Sequence, residues 1–180
     1  MNLTALATAA LLQAATITVA YHKITDQKFT ITALHHQLTT DTLTDIPNRR
    51  AADNRLSRLL KNNGAGTSIA VVDVDNFKTI NDTHGHHVGD AALRYLAVRL
   101  AEAAEPHMVA RYSGDEFLII ANHNDLNVSK TVAAAILDNI RAIPFMHYGV
   151  TIPVEVSIGI AALDGEVPAL DIALFPQALD

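Results

Sequence analysis

Cysteine is absent from the 180 residues. That excludes a disulfide scaffold, a thiolate-held zinc and a cysteine nucleophile, and leaves oxygen and imidazole as the only groups that can hold a metal. Charge is sparse too: 18% of residues, 13 basic against 19 acidic, for a net charge of −6. No run of Lys or Arg provides the basic footprint that grips a duplex by its phosphates, so a nucleic-acid partner is not expected. A Gly-x-x-x-x-Gly-Lys-Ser/Thr loop is also lacking. Asn63-Gly64-Ala65-Gly66-Thr67 carries no lysine, which removes the P-loop nucleotide hydrolases. Apolar residues are plentiful, at 49% of a chain long enough to close one core and carry an appendage.

Residues 3–20 form 18 positions without a charge, mostly Leu, Ala, Thr and Val with one Gln13. This length just reaches what a bilayer core requires. The first basic residues, Lys23 and Lys28, follow the run and would set the rest of the chain on the cytoplasmic side. Residues 1–20 are therefore expected to form a membrane helix tethering the chain to the inner membrane, the alternative being a buried apolar helix. Residues 21–40 read as a linker or signalling helix. Ile24, Ile31, Leu34 and Leu38 recur in heptad fashion, a seam suited to a second copy of itself or to the chain's own domain.

The remainder, residues 41–180, alternates between helix and strand. Helices are expected over 51–60, stopped by Asn62, Asn63, Gly64 and Gly66, and over 91–104 and 128–143. Strands are expected over 68–74, 108–112, 117–121 and 152–161, with Ser113-Gly114-Asp115-Glu116 as a hairpin turn. The predicted class is α/β: an α+β sandwich with a mixed β-α-β-β-α-β sheet flanked by helices and preceded by an N-terminal helix.

The strand at 68–74 runs into Asp73-Val74-Asp75, putting two carboxylates on one face at the tip of an apolar strand. An EF-hand starting at Asp73 is excluded, because its sixth position is Lys78 instead of Gly and its twelfth is His84 instead of Glu. Asp115-Glu116 supplies a second acidic point, which meets the first if the two strands are neighbours. Two carboxylates about 4 Å apart repel by roughly 4 kcal/mol at an effective dielectric of about 20, so such a pair shares a proton or holds a cation. Mg²⁺ suits the position, since it keeps sites for water and phosphate oxygens. Between the acidic points, Lys78 is a mobile cation able to follow phosphate charge. Asn81 and Asp90 offer an amide and a carboxylate that match the edge of a guanine. His86 suits a neutral wall of a nucleotide pocket, with His84 and His87 as solvated loop residues; without a helical i, i+4 pair or a cysteine, these histidines do not form a zinc motif.

These segments together resemble a GGDEF-domain diguanylate cyclase. The matching stretches are Asp41-Thr42-Leu43-Thr44-Asp45-Ile46-Pro47-Asn48-Arg49-Arg50, then VDVDNFKTINDTHGHHVGDAAL over 72–93, then Arg111-Tyr112-Ser113-Gly114-Asp115-Glu116-Phe117, then Val156-Ser157-Ile158-Gly159-Ile160. The resemblance implies a fold like the palm of nucleotidyl cyclases and the condensation of two GTP into cyclic di-GMP with release of two pyrophosphates. It implies Mg²⁺ or Mn²⁺ held by Asp73, Asp115 and the Val74 carbonyl, with Asp115 as proton acceptor and Glu116 beside it. Lys78 would stabilise phosphate charge, and Asn81, His86, Asp90, Phe77 and Gly114 would bind substrate. It further implies a homodimer of domains face to face, each holding one GTP. A second reading is a catalytically weak GGDEF module that binds GTP or a protein partner as a regulator.

Three departures accompany the resemblance. Ser113 stands where the family has Gly. Ala104-Glu105-Pro106-His107 replaces the family's Arg-x-x-Asp product-inhibition site, predicting no feedback there. No basic residue follows Arg141, where the family closes with a Lys-x-x-Gly-Arg-Asn helix that holds the triphosphate.

Overall fold

The computed structural model describes residues 3–61, 66–123 and 125–163. The helix-stop signals at 62–64 and the C-terminal segment at 164–180 lie outside the described residues. Contacts divide the chain into two units, Met1–Leu38 and Thr39–Asp180.

The first unit is α1 (Leu3–Thr39), one continuous helix of 37 residues where the sequence suggested two segments. No Gly or Pro interrupts it. Several threonines, poor helix formers when their hydroxyls compete for backbone, turn those hydroxyls back to the preceding turn: Thr25 donates to the Tyr21 carbonyl and Thr30 to that of Asp26, each at 2.9 Å. The membrane helix expected over residues 1–20 falls mostly on side chains outside the described residues; among the described residues no helix is long and apolar enough to cross a membrane.

The second unit is built on α2 (Arg49–Lys61), β1 (Thr67–Val74), α3 (Phe77–His84), α4 (His86–Ala103), β2 (Met108–Ser113), β3 (Glu116–Ala121), α5 (Leu126–Ala142), a small hairpin of β4 (Met146–His147) and β5 (Val150–Thr151), and β6 (Val156–Leu163). Asn48 caps α2, its Oδ1 accepting from the Ala51 N–H at 3.1 Å. Asp125 caps α5 through the Asn127 N–H at 2.8 Å. The main sheet runs β2-β3-β1-β6.

Every pairing in that sheet is antiparallel, which corrects the expected mixed sheet. The reason is topological. Each helical crossover, from β1 to β2 and from β3 to β6, links strands of like direction and leaves another strand between them, so parallel strands never become neighbours. The β-α-β-β-α-β order itself is as expected.

Both sheet faces are covered. Val72, Val74, Val109, Phe117 and Ile119 pack beneath Ile80, Leu93, Leu96, Leu100, Ile136 and Ile140 of α3 to α5. On the other face Ile69, Ala110, Leu118 and Ile120 meet Ala52 and Leu56 of α2. Burial on both sides is why β1 reads as a nearly unbroken apolar run before its acids.

Candidate active site

Alternation along β1 sends Val72 and Val74 under α3 to α5, and so turns Asp73 to the α2 face with Ile69 and Val71. Register then places Asp73 opposite Glu116 of β3 on one side and Ser157 of β6 on the other. The two acidic points of the sequence therefore meet at one end of the sheet, with Asp115 in the turn adjoining Glu116. Burial pushes the half-buried Asp73 carboxyl above its ordinary value, and the charges of Asp115, Glu116 and Asp75 push it further in the same direction.

Asp75 leaves the strand and is pinned in place. Its N–H donates to the Glu155 carbonyl at 2.9 Å, and its Oδ1 accepts from the Ser157 hydroxyl at 2.7 Å. Val74 buries its side chain in the core, so the backbone is what it offers to a ligand.

After a left-handed residue, Asn76 with φ 55°, the chain enters α3, a helix the sequence reading did not include. With only Phe77 and Ile80 as large apolar residues, its periodic signal is too short to detect. A single residue, Gly85 with φ 86°, separates α3 from α4, so the two helices fold back on each other. His84 and His87 are exposed, at helix ends instead of in a loop.

Gly89 of α4 is buried under Asn81. A Cβ at Gly89 would lie 2.0 Å from Asn81 Oδ1 and 3.2 Å from Phe77 Cζ. The Asn81 amide thus rests directly on the α4 backbone, one residue before the half-buried Asp90, and the Phe77 ring packs on the helical core beside it. Lys78 and His86 are exposed on the same helix pair.

The hairpin tip contains a register shift between Arg111 and Ser113. Gly114 takes the positive φ of 20°, whereas Ser113 is absent from the non-glycine residues with positive φ, which are Asp45, Asn76 and Tyr148 among the described residues. Ser113 is also exposed. A Cβ at this position of the signature therefore meets neither a left-handed backbone nor a crowded wall.

Arg111 organises the tip in a way the motif alone did not announce. Its Nε and Nη2 donate to the Gly114 carbonyl at 3.0 and 2.8 Å, and its Nη1 donates to Asp41 Oδ1 at 3.1 Å. Asp41 also accepts from the Thr44 N–H and hydroxyl at 2.9 and 2.7 Å. Burial alone would raise the Asp41 carboxyl, but the hydrogen bonds from Thr44 and Arg111 outweigh it and hold the group below its ordinary value. The Arg111 N–H donates to the Pro47 carbonyl at 2.8 Å, so the domain entrance is strapped to edge strand β2 and, through one guanidinium, to the acidic turn.

The family described as "Diguanylate cyclase, GGDEF domain" matches residues 38–174. The chain belongs to the GGDEF family. Its relatives include the response regulator PleD of Caulobacter vibrioides, 37% identical over 133 residues, covering 71% of this chain and 29% of PleD. Another is the cyclic di-GMP phosphodiesterase PdeR of Escherichia coli, 32% identical over 142 residues, covering 77% of this chain and 21% of PdeR. The chain thus spans less than a third of these relatives. Among solved structures, the coiled coil and GGDEF domain of DgcB from Caulobacter crescentus in complex with c-di-GMP matches with a TM-score of 0.72 at 28% identity, covering 81% of this chain and 80% of that one.

GGDEF cyclases generally use a divalent metal, and the carboxylates at this sheet end are the donor type that Mg²⁺ takes. Among the described residues no group of three or more His, Asp or Glu side chains forms a preformed metal cage. Mg²⁺ does not need one: it takes one or two carboxylates and fills its other positions with water and phosphate oxygens. A carboxyl held high by burial and by neighbouring acids, as Asp73 is, is the state such a cation relieves.

Proposed function

We propose that this chain is a diguanylate cyclase that condenses two GTP into cyclic di-GMP. The observation that carries the reading is the convergence of Asp73 with Glu116 and Asp115 at the sheet end, next to the helix pair bearing Asn81, Asp90, Lys78 and His86. Asn81 and Asp90 bind the guanine edge, joined by His86, while Phe77 and Gly89 hold the amide of Asn81 in place.

Asp73, Asp115 and the Val74 carbonyl would hold Mg²⁺ or Mn²⁺, which would supply charge neutralisation at the phosphates and a lowered pKa at the sugar hydroxyl. Asp115 accepts the proton of the ribose 3′-hydroxyl, with Glu116 beside it to keep the local charge high. The oxygen so freed forms a bond to the α-phosphorus of the other GTP, and the bond from that phosphorus to the bridging oxygen breaks with release of pyrophosphate. Lys78, long and exposed, follows the charge that grows on the departing oxygens. A second turnover of the same step closes the ring.

Because each bond joins nucleotides held by different domains, the active species is a homodimer with twofold symmetry. Apolar residues exposed on α1 support pairing: Ile17 and Ile24 fall at heptad spacing and are 69 and 52% exposed.

Incubating the purified chain with GTP and Mg²⁺ or Mn²⁺ and separating the products by chromatography tests this. Cyclic di-GMP is expected from the parent and not from Asp115→Ala. The second reading, a regulator that binds GTP or a protein partner, draws support from PdeR, whose name carries a different activity. GTP binding without product from the dimeric parent protein selects it.

A further inference from the structure

The end of the sheet opposite the acids holds a second chemical cluster. His107 immediately precedes β2 and His123 follows β3 by two residues, and the Met108 to Ile120 register brings them side by side. Their ring centroids are 5.1 Å apart with planes at 70°. His107 Nδ1 and both nitrogens of His123 are shielded from solvent and have no hydrogen-bond partner.

A buried polar atom left unpaired costs about 1–3 kcal/mol, and such groups in a native fold call for an explanation. A single water accounts for only part of this. The small cavity that His123 lines, about 20 Å³, is roomy enough for one. His107 does not line that cavity, and the two hydroxyls that do, Ser68 and Ser129, already satisfy each other at 2.7 Å. One water there leaves His107 Nδ1 and a second His123 nitrogen orphaned.

Late first-row divalent metals take neutral imidazole nitrogens as ligands, and two rings with centroids 5.1 Å apart are near enough to share one ion. We propose that His107 and His123 form a two-imidazole site for a divalent transition metal, with water completing the coordination. The site owes nothing to the nucleotide chemistry. It staples the open end of the β2–β3 hairpin, whose closed end carries Ser113 to Glu116. It also uses the last of the four positions, 104–107, at which the product-inhibition motif is missing from this chain.

Zn²⁺ titration of the full chain by calorimetry, with Co²⁺ absorption as a second probe, tests the assignment. One equivalent is expected to bind the parent. Its affinity should fall more than about tenfold in His107→Phe and in His123→Phe, which keep ring volume but lose the nitrogens. It should persist in His84→Ala/His87→Ala. Imidazole ¹⁵N resonances of His107 and His123 in the unmodified protein should move with the first equivalent of Zn²⁺, a reading that needs no variant to fold. Retention of the equivalent in the His107→Phe/His123→Phe double variant overturns the proposal, as does movement of other histidine signals in place of these two.

Discussion

Asp41 at the domain entrance and Asp73 at the sheet tip are both half-buried aspartates, and their surroundings drive them in opposite directions. Asp41 receives two hydrogen bonds from Thr44 and one from Arg111, and its carboxyl sits below the ordinary value. Asp73 has Glu116, Asp115 and Asp75 as its charged neighbours, and its carboxyl sits above it. The first is a carboxylate the fold satisfies. The second is one whose ionised form burial and the neighbouring acids disfavour, an environment that perturbed carboxyls at functional sites share. Arg111 separates the two, since its guanidinium spends its donors on Asp41 and the Gly114 carbonyl and none on the acids next door.

The contrast breaks most sharply under substitution at the tip. Asp73→Asn and Asp115→Ala are each expected to lower cyclic di-GMP formation by on the order of 10²–10⁴-fold. Asp73→Asn should do so without lowering the melting temperature, because it removes a destabilising charge. A clear drop in Tm for Asp73→Asn would show that Asp73 is structural, as Asp41 is.

At the entrance the expectation inverts. Arg111→Ala leaves Asp41 half-buried without its cation and the Gly114 carbonyl without its donors, and should reduce unfolding free energy by about 2 kcal/mol in urea titration. A change within about 0.5 kcal/mol, the range of ordinary surface substitutions, would remove the distinction.

Gly89→Ala probes the recognition side. The added Cβ must displace the Asn81 amide, so GTP affinity measured by calorimetry should weaken by about tenfold, in line with an overpacking cost of about 1–3 kcal/mol. Unchanged affinity would mean that Asn81 does not hold the base.

The smallest effect is in acid. The Asp41 carboxyl lies below its ordinary value of 3.8 when folded, so the stability it contributes is present above that value and disappears as pH falls through the lower folded-state value. Thermal melts below about pH 4 should therefore lose stability more steeply in the parent than in Asp41→Asn. Parallel curves would mean that Arg111 and Thr44 do not favour the ionised form.

Much of this was legible in the residues. The acids after Val72 and after Gly114, the alternation that turns Asp73 away from the helical core, and the β-α-β-β-α-β order all follow from local pattern, and the four ordered motifs named the family. Other features were not legible. α3 is eight residues long and mostly polar, too brief for periodicity to show. Arg111 and Asp41 are separated by 70 positions, and nothing in either neighbourhood names the other.

Composition and spacing by themselves determined which side chains could take part and which face of its strand each would occupy, because both depend on a backbone repeat of a few residues. Tertiary structure alone decided who meets whom. The crossovers made β1 and β3 antiparallel neighbours, register set Asp73 against Glu116, Gly89 seated Asn81, and His107 came to rest on His123. Contacts of that range arise from how the layers close over the core, and no local stretch of chain encodes them.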